Sequence, residues 1–280
     1  MPTELSEHKR RVADLYNLAA AGYDRPALRF FPLCAHRLVE LAGLQSGQRI
    51  LDVATGAGAA AIRAAQVVGS GGQVVGVDIA NDMLDQARCN VASAGLTNVE
   101  LREGDAEQLD FPADSFDAVL CAAAVFFLPD LLASLREWLR VCKPGGWVAV
   151  SGFGDAAFQP ISDLYEARIR DYGATLPAPR RPFSWQQLAD PEAYRRLLRD
   201  AGADRPKVRS EQLGYYLGNA DDWWDIVWSS GFRGPASKLA PRELIRFKAE
   251  HLTEVGALAT DNGIWLDVPA IFALGRKPGD

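Results

Sequence analysis

Asp52 lies inside a short apolar run, Arg49–Val53, four residues ahead of Gly56, and Gly58 follows two positions later. Glycines placed where a strand turns into a helix let a ligand meet the backbone without a Cβ in the way. The unpaired N–H groups of the helix start then face that ligand. Asp78 comes 22 residues after Gly56, at the end of the next apolar run, Gln73–Val77. A carboxylate there can accept both hydroxyls of a ribose. Gly56-x-Gly58-x-x-Ala61 also fits the dinucleotide fingerprint formally. The acid at Asp52 argues against a pyrophosphate, which is itself anionic, and suits a ligand carrying an ammonium or sulfonium. After the third apolar run, Asp105 is placed to accept from an adenine amine and the Ala106 N–H to reach a ring nitrogen.

These residues need a strand–helix alternation to bring them together, and the sequence supplies one. Residues 5–22 and about Pro32–Ala42 read as helices ahead of the first strand. Ala59–Val68 is helical, Gln73–Val77 a strand, and Asn81–Ala94 a helix with Asn81 as N-cap. Val99–Arg102 and Asp117–Cys121 are strands, Pro129–Cys142 is a helix, Lys143–Gly146 a turn, and Trp147–Ser151 a strand. Strands that are continuous apolar runs separated by helices imply a parallel sheet covered on both faces. Further on, Phe158–Gly173, Pro191–Ala201, Ala220–Gly231 and Pro241–Glu254 read as helices. Lys207–Leu217 and Ile264–Gly275 read as strands, and Leu176–Trp185 as a Pro/Arg-rich loop. The expected fold is α/β, a Rossmann-like doubly wound, seven-stranded and mostly parallel sheet whose final strand is antiparallel, with N-terminal helices and a helical cover in the C-terminal half.

Two more blocks, Phe111-Pro112-x-x-Ser115-Phe116-Asp117 and Val141-Cys142-Lys143-Pro144-Gly145-Gly146, complete a set whose order and spacing resemble the class I S-adenosylmethionine-dependent methyltransferases. The likeness is to the small-molecule branch that includes the ubiquinone/menaquinone-biosynthesis and "type 11" enzymes, and it covers roughly Leu15–Gly154. It implies S-adenosylmethionine as cofactor and S-adenosylhomocysteine as product. Ala54, Thr55, Gly56 and Gly58 would line the methionine part, and Asp78 would hold the ribose. Ile79 and Met83 would pack on the adenine, whose edge Asp105 and Ala106 would read. Cys121 would offer its backbone near the cofactor's amino group. Tyr16 and Tyr23 match an aromatic N-terminal segment that closes over the cofactor, although as residues they read equally as packing aromatics. The implied organisation is one methyltransferase domain over 1–280: a helical cap (1–47), a cofactor core (48–154), and a remainder that completes the sheet with substrate-covering insertions at about 155–190 and 218–262. The chain departs from many relatives in having Ala54-Thr55 before the first glycine. It also has Phe126-Phe127 where a histidine is common, which makes the reacting pocket more apolar.

Methyl transfer from a sulfonium is an in-line displacement that depends on alignment and exclusion of water, with a base needed only if the nucleophile carries a proton. No catalytic base stands out. His8, His36 and His251 have no ligand spacing, so no metal is expected. His251 and His36 read more readily as packing or surface residues than as bases. Arg180 and Arg181 read as solvated, or as partners for an acidic substrate group. The net charge of −6 speaks against a nucleic-acid partner. No apolar run is long enough to cross a bilayer, the start lacks a secretory core, and four scattered cysteines suggest buried thiols, so a cytoplasmic protein is expected. The expected partner is a small, partly apolar molecule. Within Asn219–Gly234, Trp223, Trp224 and Trp228 lie close together. They are read either as anchors of an insertion or, with Phe126 and Phe127, as walls of a substrate pocket. Two other readings stay open: a protein of this fold that binds the cofactor without methylating, and a nicotinamide oxidoreductase resting only on the glycine spacing.

Overall fold

The computed structural model describes residues 4–174 and 188–279. Two helices, α1 (Glu4–Ala19) and α2 (Phe30–Ala42), precede β1 (Arg49–Val53). The alternation then runs α3 (Ala59–Val68), β2 (Gln73–Asp78), α4 (Asn81–Ser93), β3 (Val99–Glu103), β4 (Phe116–Cys121), α5 (Leu131–Val141) and β5 (Cys142–Phe153). After it come α6 (Ile161–Asp171), α7 (Pro191–Asp200), β6 (Asp204–Gln212), β7 (Tyr215–Leu217), α8 (Ala220–Trp228), α9 (Pro241–Gly256), β8 (Ile264–Leu266) and β9 (Pro269–Arg276).

Seven strands form one sheet in the order β3-β2-β1-β4-β5-β9-β6. β9 runs antiparallel to both its neighbours, and the other ladders are parallel. The chain order reverses at β1, so the ends of β1 and β4 open a crevice at a topological switch point. β1 and β4 are buried almost throughout, as their unbroken apolar runs require. α2, α3, α6 and α8 contribute to the core on one face of the sheet, and α5 and α7 pack on the other.

Several local expectations differ from the structure. The Lys143–Gly146 turn is a looped-out irregularity within β5: Phe116 pairs with Cys142, and the next pair is Ala118 with Trp147. The strand expected over Lys207–Leu217 is two, since β7 leaves the main sheet to pair with β8 alone. The Ile264–Gly275 run divides in the same way, because Gln212 reaches Asp267 and the Val268 amide at the break. Asn81 is not the cap of α4. That position is Ala80, and the Asp82 amide instead donates to Asn17 Oδ1 of α1, at 3.0 Å. The Leu176–Trp185 loop with Arg180 and Arg181 lies outside the described residues. Among those described, no helix is long and apolar enough to cross a membrane.

Candidate functional site

A cavity of about 440 Å³ opens over the ends of β1, β2 and β4. Its floor is the turn from β1 into α3. Ala54, Gly56 and Gly58 have φ of 52°, 55° and 86°. For Gly56 and Gly58 this left-handed conformation is free of strain, whereas Ala54 pays roughly 1 kcal/mol for its Cβ. Thr55 ties the turn down: its N–H donates to Val77 O at 3.0 Å, its hydroxyl to Asp52 Oδ2 at 2.6 Å, and its carbonyl accepts from Gly58 N at 2.9 Å. Ala54, Thr55 and Gly56 line the cavity, and Gly58 does not. A Cβ on Gly58 would stand 3.3 Å from that of Ala87, so this glycine serves the approach of α3 to α4.

Asp52 is 1% exposed, and Oδ1 of its carboxylate makes no hydrogen bond. Burial pushes its pKa up to about 7, against the pull of the Thr55 hydroxyl and the nearby Ala61 amide. Asp78, at the end of β2, accepts from the Gly56 amide (2.8 Å) and the Ala80 amide (2.9 Å), one through each oxygen. Burial raises its pKa too, and these amide bonds hold it down in part. Each oxygen keeps lone-pair capacity for a further donor. Ile79 and Met83 stand beside it in the cavity wall.

Asp105 and Ala106 also line the cavity, with Asp105 already engaged. Lys9 Nζ donates to its Oδ2 at 2.6 Å and lies 2.5 Å from Glu107 Oε2. Cys121 is fully buried and outside the lining, which is formed by the next residues, Ala122, Ala123 and Ala124. Strand β4 buries Cys121 among the apolar residues of the core, and the chain turns toward the cavity only after it.

The N-terminal segment closes one side, and its polar residues explain how. Asn17 caps α4, while Asp24 accepts from Gln86 (2.6 Å) and Asn90 (2.8 Å) of the same helix. With these neighbours clamped, Tyr16 and Tyr23 line the cavity, their rings edge to face at 6.1 Å. Burial raises both phenol pKa values, so each hydroxyl is a donor and not a base near neutral pH. Sequence reasoning missed Lys9, Val12 and Ala13, which line the cavity from the same helix. They precede Tyr16 by seven, four and three residues, the spacing of one helical face, and that spacing was the available signal.

The aromatic residues assigned to substrate separate. Phe127 lines the cavity and meets Tyr16 edge to face at 5.2 Å. Phe126 lies outside the lining and packs on Phe127 and Phe153. Trp223, Trp224 and Trp228 are not in the cavity wall either. Trp223 is 0% exposed and donates through Nε1 to His251 Nε2 at 2.7 Å. Trp224 and Trp228 stack at 5.7 Å, with Lys248 over one and Arg233 over the other. Trp223 and Trp224 join α8 to α9 through His251, Phe247 and Lys248, while Trp228 packs on Trp224 and Arg233, so the apolar face of α8 is taken up by its neighbours and not by the strand ends.

His251 is buried with them, stacked on Phe247. Burial lowers its pKa to about 4, opposed by Glu254, while Arg168 of α6 lowers it further. Nε2 accepts the Trp223 proton, so Nδ1 carries the hydrogen of the neutral ring and faces Glu254 Oε2 at 3.7 Å. A group neutral when folded and protonated when unfolded costs stability as pH falls from about 6.5 toward 4, here on the order of 3 kcal/mol. His251→Gln keeps an acceptor for Trp223 and removes the titration. Asp52, raised instead of lowered, acts in the opposite sense in both proteins. The expected result is that the stability difference between wild type and variant shifts against wild type on acidification across that window, as urea unfolding at several pH values measures. A pH-independent difference contradicts the burial of a neutral imidazole. No group of histidine, cysteine and carboxylate residues able to hold a metal occurs among the described residues.

Residues 50–146 match the family model described as a methyltransferase domain. The chain is 38% identical to aklanonic acid methyltransferase DauC of Streptomyces sp. (strain C5) over 51% of its length and 66% of that protein, just under two thirds of it. It is 29% identical to nocamycin O-methyltransferase of Saccharothrix syringae, over 94% of this chain and 97% of the relative. With the ubiquinone/menaquinone biosynthesis C-methyltransferase UbiE of Pseudomonas putida (strain W619) it shares 33% identity, over 71% and 84% respectively. Among solved structures, the [4+2]-cyclase SpnF superposes with a TM-score of 0.61 at 18% identity, covering 97% of both chains, a likeness of fold alone.

Proposed function

Since the chain belongs to the S-adenosylmethionine-dependent methyltransferases, we propose that it transfers a methyl group to a small, partly apolar molecule held in the cavity over β1, β2 and β4. The observation that carries this reading is the pairing of a buried carboxylate, Asp52, with a half-buried one, Asp78, around the Gly56 turn. Asp78 has capacity for ribose hydroxyls, and Asp52 Oδ1 is an orphaned buried acceptor beside the place where a cationic amino-acid end would lie. An unpaired buried acceptor is costly, and a bound ammonium or sulfonium relieves that cost. The bound cofactor supplies a methyl group on a positively charged sulfur.

The chain's own residues bind, orient and exclude water. Ile79 and Met83 offer the apolar surface for a base, and Ala106 and Asp105 its polar edge, with Lys9 sharing the Asp105 carboxylate. Tyr16, Tyr23 and Phe127 cover the site with aromatic surface, which keeps water from the reacting centre. Its relatives' names include an O- and a C-methyltransferase of small molecules, and this chain is read as acting on the same size of substrate. A non-methylating use of the cofactor is the second reading, because a fold does not by itself fix the chemistry done on it. Transfer of labelled methyl from S-adenosylmethionine to any member of a panel of aromatic and alicyclic acids, phenols and amines decides for methylation. Cofactor binding with no transfer across the panel decides for the second reading.

Asp52 gives a further expected result. Its pKa of about 7 falls when a cation binds beside it, so S-adenosylmethionine displaces a proton wherever Asp52 starts protonated. Affinity then rises with pH up to about 7 and levels off above it. Calorimetry in two buffers of different ionisation enthalpy counts the released proton, and Asp52→Asn abolishes the release. Equal heats in both buffers at pH 6 would remove the cation-binding role.

A further inference from the structure

We propose that the methyl acceptor is an organic acid that reacts as its own anion, an apolar-bodied carboxylate or equally acidic enol, selected by the positive charge of Arg29. The inference rests on the methyltransferase reading above and narrows its substrate class.

The cavity's titratable groups are already committed. Asp78 holds two amides and Asp24 two side-chain amides of α4, while Asp105 is paired with Lys9. Asp52 accepts from Thr55, and in the reading above its other oxygen would meet the cofactor's cation. Tyr16 and Tyr23 do not ionise near neutral pH. Residues 175–187 contain no histidine, acid, lysine, tyrosine or cysteine, so that stretch has no side chain to act as a base. His36 remains, on an exposed position of α2 with its pKa lowered by partial burial and by Arg63, against Glu40.

A wall with no base assigned to it suits an acceptor that has no proton to lose. The anion's oxygen lone pair forms the new O–C bond, the C–S electron pair stays on sulfur, and one negative and one positive charge disappear together. The products are a neutral ester or enol ether and a neutral thioether, with no proton left over. A neutral hydroxyl would instead leave a proton that must go to a base. Loss of both charges is favoured by a dry, apolar surrounding, and the wall beyond the cofactor contacts is of that kind: Val12, Leu28, Phe31, Phe127, Leu128 and Pro129.

Among the described residues, one cation of this wall, the exposed Arg29 at its rim, has no carboxylate of its own. Lys9 is neutralised by Asp105 and Glu107, and Arg25 by Asp225. Among the described residues the Arg29 guanidinium donates to the carbonyl oxygens of Pro26 (3.2 Å) and Tyr216 (2.8 Å), and it lies 3.7 Å over the Tyr215 ring. Carbonyls and a ring orient its planar fork without cancelling its charge, which leaves it suited to a carboxylate.

The test uses the whole protein saturated with S-adenosylhomocysteine and the probes 2-naphthoate, 2-naphthamide and 2-naphthol, which share one ring body. The acid is expected to bind at least about tenfold more tightly than either neutral twin. In Arg29→Gln that preference falls to within about threefold, with product affinity within about twofold of wild type; Arg29→Lys, which keeps the charge, retains most of it. With S-adenosylmethionine kept saturating at every pH, 2-naphthoate is converted to its methyl ester at a rate that stays flat from about pH 6 to 9 in wild type and in His36→Gln. Three outcomes overturn the proposal: an acid bound no more tightly than its neutral twins, an Arg29→Gln defect that falls on product binding, and a rising pH limb that His36→Gln removes. Failure to bind S-adenosylhomocysteine at all instead overturns the methyltransferase reading and is seen before any probe is added.

Discussion

Asp78→Ala is expected to bind S-adenosylmethionine at least a hundredfold more weakly than wild type, about 3 kcal/mol, by titration calorimetry. Two contributions add. A charged acceptor for the ribose hydroxyls is lost, and so is the clasp that shapes the site, because the same carboxylate holds the Gly56 and Ala80 amides. Those amides lie beside a cavity that water can enter, so the cost to folding is only about 1 kcal/mol each, a melting temperature lower by a few degrees. From sequence, Asp78 is a ligand-facing residue whose loss leaves the fold untouched. The structure makes it also a brace between β1 and β2, and Asp78→Asn, with one acceptor oxygen, should fall between. An affinity for Asp78→Ala within threefold of wild type would remove Asp78 from the ribose site.

Trp223→Ala is expected to lose roughly 3–5 kcal/mol of stability, the most of any single change considered, with cofactor affinity close to wild type. The indole is wholly buried, meets Phe232 at 5.2 Å, and gives its only N–H to His251. Its removal leaves a cavity between α8 and α9 and an imidazole without its donor. Trp223→Phe separates the two, costing about 1–2 kcal/mol for the hydrogen bond and the lost volume. Trp224→Ala, half-buried and packed on Trp228 and Phe247, should cost less than Trp223→Ala. Chemical denaturation ranks the three. If Trp223→Ala melts like wild type and instead impairs substrate binding, the pocket reading of this cluster returns and the packing account fails.

The parts of this protein legible in its sequence are those governed by local rules. Continuous apolar runs separated by helical segments required a covered, mostly parallel sheet, since nothing else buries both faces of such strands. Gly56 and Asp78 stood out because close backbone approach and the ribose binding proposed for Asp78 each demand one residue type at one point of a strand–helix unit. Tyr16 and Tyr23 showed themselves by position, although the reason they face inward, the clamping of Asn17 and Asp24 onto α4, lies in partners more than sixty residues away. Gly58 could not be told from Gly56 by spacing, since two glycines in one turn answer to different needs: Gly56 lines the cavity, and Gly58 meets Ala87.

By itself, then, the sequence determined the fold class, the glycine turn and the carboxylates around it, since residue type and spacing within one strand–turn–helix unit are sufficient for these. Only the tertiary structure decided which aromatic residues are wall and which are core. An aromatic run such as Trp223–Trp228 has the same composition and periodicity in either role, and its burial is settled by the neighbour it meets, here His251 and Phe247 of α9. The charge state of the cavity was decided in the same way. Lys9 and Arg25 are cations in sequence just as Arg29 is. Distant carboxylates fold back to neutralise the first two, whereas Arg29 meets a ring and two carbonyls, and pairings over such separations are set by packing and not by spacing.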